Sequence, residues 1–134
     1  MQMFDVQAIE ITAPPEVVFD FVRRPANLPK WAHAFETADD GHARLKTPNG
    51  VQDIGLSTAA EPQARTVDWR LEFPDGSVAL AQSRVTDTTR GTSIYSFVLH
   101  APPVPLEELE GALDAQRRTL RTELATLKQL IEAA

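Results

Sequence analysis

The chain has 134 residues, a net charge of −6, a pI near 5.0 and no cysteine. That length fits one domain over residues 1–134 and is enough to bury a core without a metal or a cross-link, while the lack of cysteine excludes disulfides, thiol nucleophiles and cysteine-ligated metal sites. Lys and Arg are scattered, adjacent only at Arg23-Arg24 and Arg117-Arg118, so the concentrated basic face of a nucleic-acid binder is missing.

Residues 3–12, MFDVQAIEIT, read as a strand, because Ile9 and Ile11 alternate with Glu10 and Thr12. They follow the start too closely for a basic segment and a long apolar core, so no signal peptide is expected. Apolar runs elsewhere fall far short of the ~20 residues that span a bilayer, and the expected location is the cytoplasm. Ala13-Pro14-Pro15-Glu16 stops the strand: proline lacks a backbone donor but suits a first helical turn, and Glu16 suits the positive end of the helix dipole. Val17, Val18, Phe19, Phe21 and Val22 then make a short apolar helix that Pro25 ends. Residues 26–31 read as one or two further helical turns, broken around Pro29.

The middle of the chain is punctuated at Asp39-Asp40-Gly41, Pro48-Asn49-Gly50, Glu61-Pro62, Pro74-Asp75-Gly76 and Arg90-Gly91. Each site supplies turn geometry, and the stretches between have strand length. Short connections of this kind predict an antiparallel meander rather than βαβ units. The clearest hairpin joins 66–73 to 77–86. In its first arm Val67, Trp69, Leu71 and Phe73 alternate with Thr66, Asp68, Arg70 and Glu72, so one face is buried and the other wet. The last strand, 92–100, is apolar on both faces, with Ile94 and Val98 opposite Tyr95, Phe97 and Leu99. It is either covered twice or turned on one side toward a partner subunit, and a homodimer is an open expectation.

Ala101-Pro102-Pro103-Val104-Pro105 is a stiff connector. From residue 106 onward good helix formers dominate. Glu107, Glu108 and Glu110 stand near the helix start and Lys128 near its end, the favourable sense for the dipole. Leu109, Leu113, Leu120, Leu124, Leu127 and Ile131 form one stripe. This predicts one amphipathic helix of roughly 40 Å at 1.5 Å per residue. The order is strand, two short helices, a block of strands, one long helix. The expected fold class is therefore α+β, a curved antiparallel sheet that buries its apolar face against the last helix.

The stretch Ile9-Glu10-Ile11-Thr12-Ala13-Pro14-Pro15-Glu16-Val17-Val18-Phe19, followed by Pro25-Ala26-Asn27-Leu28-Pro29-Lys30-Trp31, resembles the opening of the START/Bet v 1-like (SRPBCC) superfamily. More narrowly it is similar to bacterial polyketide cyclase/dehydrase-like proteins, as are the turn Phe73-Pro74-Asp75-Gly76 and the leucine-rich terminal helix. The likeness covers essentially the whole chain. It implies a helix-grip fold with a cavity between sheet and long helix. It also implies a ligand such as a lipid, sterol, quinone or polyketide, which some members cyclise or dehydrate while others regulate partner proteins.

The candidate ligand-binding residues are Trp31, Trp69, Tyr95, Phe97, His100, Leu113, Gln116 and Leu120. Gln116 interrupts the helical stripe between Leu113 and Leu120. It either points into the cavity to orient a ligand or lies at the wet edge of the stripe. Arg117 poses the same choice, with a solvated end the simpler fate. Trp69 faces inward by strand parity, as cavity lining or plain core. Trp31 anchors the short helices, at or near a cavity rim. His100 ends the last strand, where an imidazole moves protons near neutral pH or is simply a surface histidine. The hydroxyl of Tyr95, the only tyrosine, is suited to orienting a polar ligand group if it faces inward. His33 and His42 lack metal-ligand spacing, and Asp39, Asp40 and Asp53 read as turn or loop residues. Arg121 and Glu123 read as a solvated face with Arg117. No catalytic residue, metal or cofactor is assigned.

Three functions compete. The first is a binding domain for a small hydrophobic molecule. The second is a cyclase/dehydrase-type enzyme that works by holding a flexible substrate in a reactive shape, which predicts that Gln116, Tyr95 and His100 converge. The third is a protein-interaction module with a filled cavity and an exposed apolar sheet face as its working surface.

Overall fold

The computed structural model describes residues 2–47, 50–101 and 106–134, and the backbone alone from 106 to 110. Pro48-Asn49 of one expected turn and the connector 102–105 lie outside the described residues, as do the side chains of Glu107, Glu108, Leu109 and Glu110. In chain order the elements are β1 (Phe4–Ile11), α1 (Pro15–Val22), a 3₁₀ turn (Pro25–Asn27), α2 (Leu28–Trp31), β2 (Phe35–Ala38), β3 (Gly41–Thr47), β4 (Gly50–Glu61), β5 (Thr66–Glu72), β6 (Val78–Asp87), β7 (Ser93–His100) and α3 (Leu106–Glu132).

The seven strands form one antiparallel, curved sheet in the order β1-β7-β6-β5-β4-β3-β2. β2 to β7 follow as a meander because turn residues sit between them. In the β5–β6 hairpin Gly76 takes φ +89°, a left-handed conformation that glycine adopts without steric cost. The Ser77 N–H donates to Asp75 Oδ1 at 2.9 Å, closing the Asx-type turn that this composition predicts. β1 closes the far side by pairing with β7 along its length, from Phe4 opposite His100 to Ile11 opposite Ser93. The segment from α1 through α2 therefore carries the chain from one edge of the sheet to the other.

Strand parity sets the inner face. Ile9 and Ile11, Tyr95 and Phe97, Val67 and Trp69, Leu56, Ala43 and Leu45 all point toward α1, α2 and α3. Val18, Phe19 and Val22 of α1 and Leu28 and Trp31 of α2 join them in the core. Each fully buried side chain of this size contributes roughly 1.5–3 kcal/mol of transfer free energy. Leu120, Leu124, Leu127 and Ile131 close that core from α3. Leu113 is buried too, but outside the contiguous cluster.

Polar ties fix the second half of α3 against β1. Lys128 Nζ donates to the Glu10 carbonyl at 2.9 Å, and the Thr12 N–H donates to Glu132 Oε2 at 2.7 Å. Further up the helix Arg117 pairs with Asp5 at 3.1 Å and with Asp114 at 2.6 Å. Arg117 thus joins the helix to β1 rather than ending free in solvent.

The outer face of the sheet answers the question raised by the last strand. Ile94 is exposed and Val98 half-buried, flanked in the sheet by Val6 and Gln82. Phe4, Val6, Val78 and Leu80 are exposed on the same side. Among the described residues, no element covers this row.

Candidate functional site

The two halves of α3 meet the sheet differently. The second half presents leucine and isoleucine, which fill the space beneath it. The first half presents Ala115, Gln116 and Thr119, too short or too polar to reach the inner strands. Opposite them β6 contributes the small Ala81, paired with Trp69 across the ladder. The result is a half-enclosed cavity of about 370 Å³, within the ~300–1,000 Å³ range of small-molecule sites.

Its walls come from three directions. β5 supplies Trp69 and Leu71, β6 supplies Ala81, and β7 supplies Phe97 and Leu99. Leu28 and Trp31 of α2, with Ala32, Ala34 and Phe35 after it, make a second wall. α3 supplies Ala115, Gln116, Thr119, Leu120 and Glu123. Ala34, Ala115 and Thr119 are solvent-exposed, so the opening lies between the α2–β2 connector and the first half of α3.

The aromatic side chains are mutually braced. Trp69 stacks with Phe97 at a ring separation of 6.1 Å and 28°, and Trp31 meets Trp69 at 6.5 Å and 58°. Tyr95 lies behind Trp31, edge-on at 6.1 Å and 87°. Offset and edge-to-face pairs of this kind favour fixed ring positions. The wall is thus built before a ligand arrives.

Polar groups on this wall are few and under-used. The Trp31 and Trp69 Nε1–H groups and the Gln116 Oε1 are buried with no protein partner. Glu123 is the only charged side chain among the described cavity-lining residues. Its Oε2 accepts the backbone N–H of His33 at 2.6 Å. Burial raises its pKa, and the His33 N–H and imidazole offset this only in part.

Of the eight expected ligand-binding residues, Trp31, Trp69, Phe97, Gln116 and Leu120 lie on this wall, while Tyr95, His100 and Leu113 do not. Tyr95 faces inward but is sealed beneath Trp31. Its hydroxyl is buried without a hydrogen-bond partner of good geometry, and the nearby Ser83 hydroxyl donates instead to the Val67 carbonyl at 2.7 Å. Burial pushes the phenol pKa up, with Ser83 countering and Asp68 adding to the rise. His100 is exposed at the end of β7 and shares a 2.6 Å hydrogen bond with Gln82. Convergence of Gln116, Tyr95 and His100 is therefore not found.

Glu123 corrects the sequence reading in the other direction, since it was assigned to a solvated face. Its signal was its spacing: seven residues after Gln116 and three after Leu120, it occupies the same helical face. Among the described residues, no group of three or more His, Asp or Glu side chains is arranged to hold a metal, and no described helix is long and apolar enough to cross a membrane.

Solved structures share this architecture at low identity. One is the di-domain ARO/CYC BexL from the BE-7585A biosynthetic pathway, at 18% identity and a TM-score of 0.70 over 98% of this chain. The match spans 47% of BexL, about half its length. A START superfamily protein from Mycobacterium smegmatis matches at 12% identity, with a TM-score of 0.69 over 96% of this chain and 99% of its own. The Zhui aromatase/cyclase from Streptomyces sp. R1128 matches at 10% identity, with a TM-score of 0.64 over 96% and 93%. These likenesses establish the helix-grip fold. No curated protein matches the chain. The family model for polyketide cyclase / dehydrase and lipid transport matches residues 3–132, and the chain belongs to that family.

Proposed function

We propose that the chain binds a small, largely apolar, ring-bearing molecule in the cavity between its sheet and α3. The observation that carries this reading is the space of about 370 Å³ left beneath α3 and walled by Trp31, Trp69 and Phe97. A domain of this size gains stability by filling such a space with its own side chains, so a cavity with a preformed aromatic wall favours a ligand. The lipid, quinone and polyketide classes implied by the family all have an apolar body of the required kind.

Both tryptophans of the chain line the cavity, so their fluorescence reports occupancy directly. Titration with a naphthol, a naphthoquinone and decanoic acid is expected to change the emission saturably for at least one probe. Native mass spectrometry is expected to reveal a retained small molecule. A flat titration with all three probes, together with a bare protein mass, would sink the reading.

A second reading, a cyclase/dehydrase-type enzyme, is supported by one observation: Glu123 places a carboxylate of raised pKa on the wall, suited to proton transfer. Its lone position argues for binding first. The interaction-module alternative assumed a filled cavity, and in that form it is withdrawn. The exposed outer row of Phe4, Val6, Val78 and Leu80 still supports self-association as an additional property, which sedimentation velocity would read.

A further inference from the structure

The charge on the cavity wall narrows the ligand. Among the described lining residues there is no Lys, Arg or His, and Glu123 stands alone. A carboxylate held against apolar surface lacks the hydration it would have in water, and only an opposite charge or donated hydrogen bonds offset that cost. His33 supplies one backbone donor to Oε2. Oε1 has no protein donor among the described residues. Two turns earlier on α3, the Gln116 Oε1 is a buried acceptor without a partner.

The rings beside these acceptors add to the same preference. Trp31, Trp69 and Phe97 present π-faces, and indole is the ring that attracts cations most strongly. A carboxylate-bearing ligand meets the opposite situation: a like charge, and no cation among the described lining residues to receive it, the neighbouring His33 imidazole being already engaged by Glu123.

Resting on the binding reading above, we propose that the cavity selects an apolar, ring-bearing molecule with a protonated amine, the ammonium lying between Glu123 and Gln116, and that it rejects carboxylic acids. The ammonium donates to Glu123 Oε1 and Gln116 Oε1, and the ring body lies against the indoles. The unpartnered Trp31 and Trp69 N–H groups then suit an acceptor elsewhere on that body, such as a carbonyl or ether oxygen.

The test uses the whole chain and three probes sharing one two-ring body: naphthylmethylamine, naphthylmethanol and naphthoic acid, titrated by calorimetry. The amine is expected to bind about tenfold or more tightly than the alcohol, the effect of one charge-assisted hydrogen bond, and the acid most weakly. Glu123→Gln keeps an acceptor for the His33 N–H and is expected to bring the amine down to the alcohol's affinity. Tryptophan emission of the ligand-free variant that matches the parent shows that the cavity wall is intact, since Trp31 and Trp69 form it. Should that variant lose the alcohol as well, Glu123→Asp, which keeps the charge, is expected to retain the amine's advantage. Equal binding of amine and acid, or an amine advantage that survives Glu123→Gln, overturns the proposal while leaving the binding reading standing. Failure of all three probes overturns the proposal, and the binding reading is then decided separately by the fluorescence titration and the native mass.

Discussion

The backbone N–H of His33 donates to the carboxylate of Glu123 at 2.6 Å, joining the α2–β2 connector to α3 at the wall of the cavity. The bond orients the carboxylate but does not remove the cost of burying it, and the pKa of Glu123 stays raised. Folding then binds a proton more readily than the unfolded chain does. The contribution of this group is favourable below its unfolded pKa and is lost as pH rises through the folded one. Glu123→Gln has no such loss. Its stability relative to the parent is expected to be greater at pH 7 than at pH 4.5, measured by urea denaturation at both values. A constant difference across that range would show that Glu123 is not desolvated.

If the space under α3 is the binding site, filling it abolishes binding without harming the fold. Ala81 is the smallest group on the strand wall and lies across the ladder from Trp69. Ala81→Phe is expected to raise stability by about 0.5–2 kcal/mol, the usual gain of a cavity-filling change. It is also expected to weaken any probe that perturbs the tryptophans by about tenfold or more, since the volume it takes is the volume the ligand needs. A stable Ala81→Phe protein that binds as the parent does would place the ligand elsewhere.

Much of this architecture was legible because periodicity and punctuation are local. The alternation of Val67, Trp69 and Leu71 placed Trp69 inward, and the stripe through Leu120, Leu124 and Leu127 placed α3 on the sheet. Gln116 stood out because it breaks that stripe. The unread part was tertiary. Tyr95 has the inward parity of Phe97, but only the position of Trp31 decides that Phe97 meets the cavity while Tyr95 is sealed. Glu123 looked solvated because charges on an amphipathic helix usually are. Its half-burial depends on the connector after α2 folding back across the helix, a contact 90 residues apart in the chain. Arg117 likewise found Asp5 across the sheet-to-helix gap, which no helix-local spacing reveals.

The sealed position of Tyr95 separates a structural tyrosine from a working one. Its hydroxyl is buried without a partner, and such a group costs the fold its hydration. Tyr95→Phe is expected to be neutral or stabilising by up to about 1 kcal/mol, with ligand affinity unchanged, as read by thermal denaturation and calorimetry. A fall in affinity of tenfold, or loss of a turnover activity found for the parent, would mean that the phenol reaches the cavity.

The ion pair between Asp5 and Arg117 holds the half of α3 that borders the cavity. The Asp5 side chain is 16% exposed and that of Arg117 30%, so the pair is partly shielded from solvent. The Asp5 pKa is lowered, first by the hydrogen bond from the Gln7 side chain, then by the Arg117 charge, with burial opposing both. A lowered carboxylate pKa stabilises the fold above the unfolded value, and this is lost as pH falls through the folded one. Asp5→Asn is therefore expected to cost about 1 kcal/mol at pH 7, and the two proteins should converge as pH drops below the ordinary aspartate range. A double-mutant cycle with Arg117→Met isolates the pair. Because the ties from Lys128 and Glu132 to β1 lie at the far end of the helix, loss of the Asp5 contact should raise amide exchange in residues 111–119 more than in 124–131. Uniform exchange along the helix would mean that the apolar stripe alone sets the position of α3, and that the Asp5–Arg117 pair has no part in keeping the cavity open.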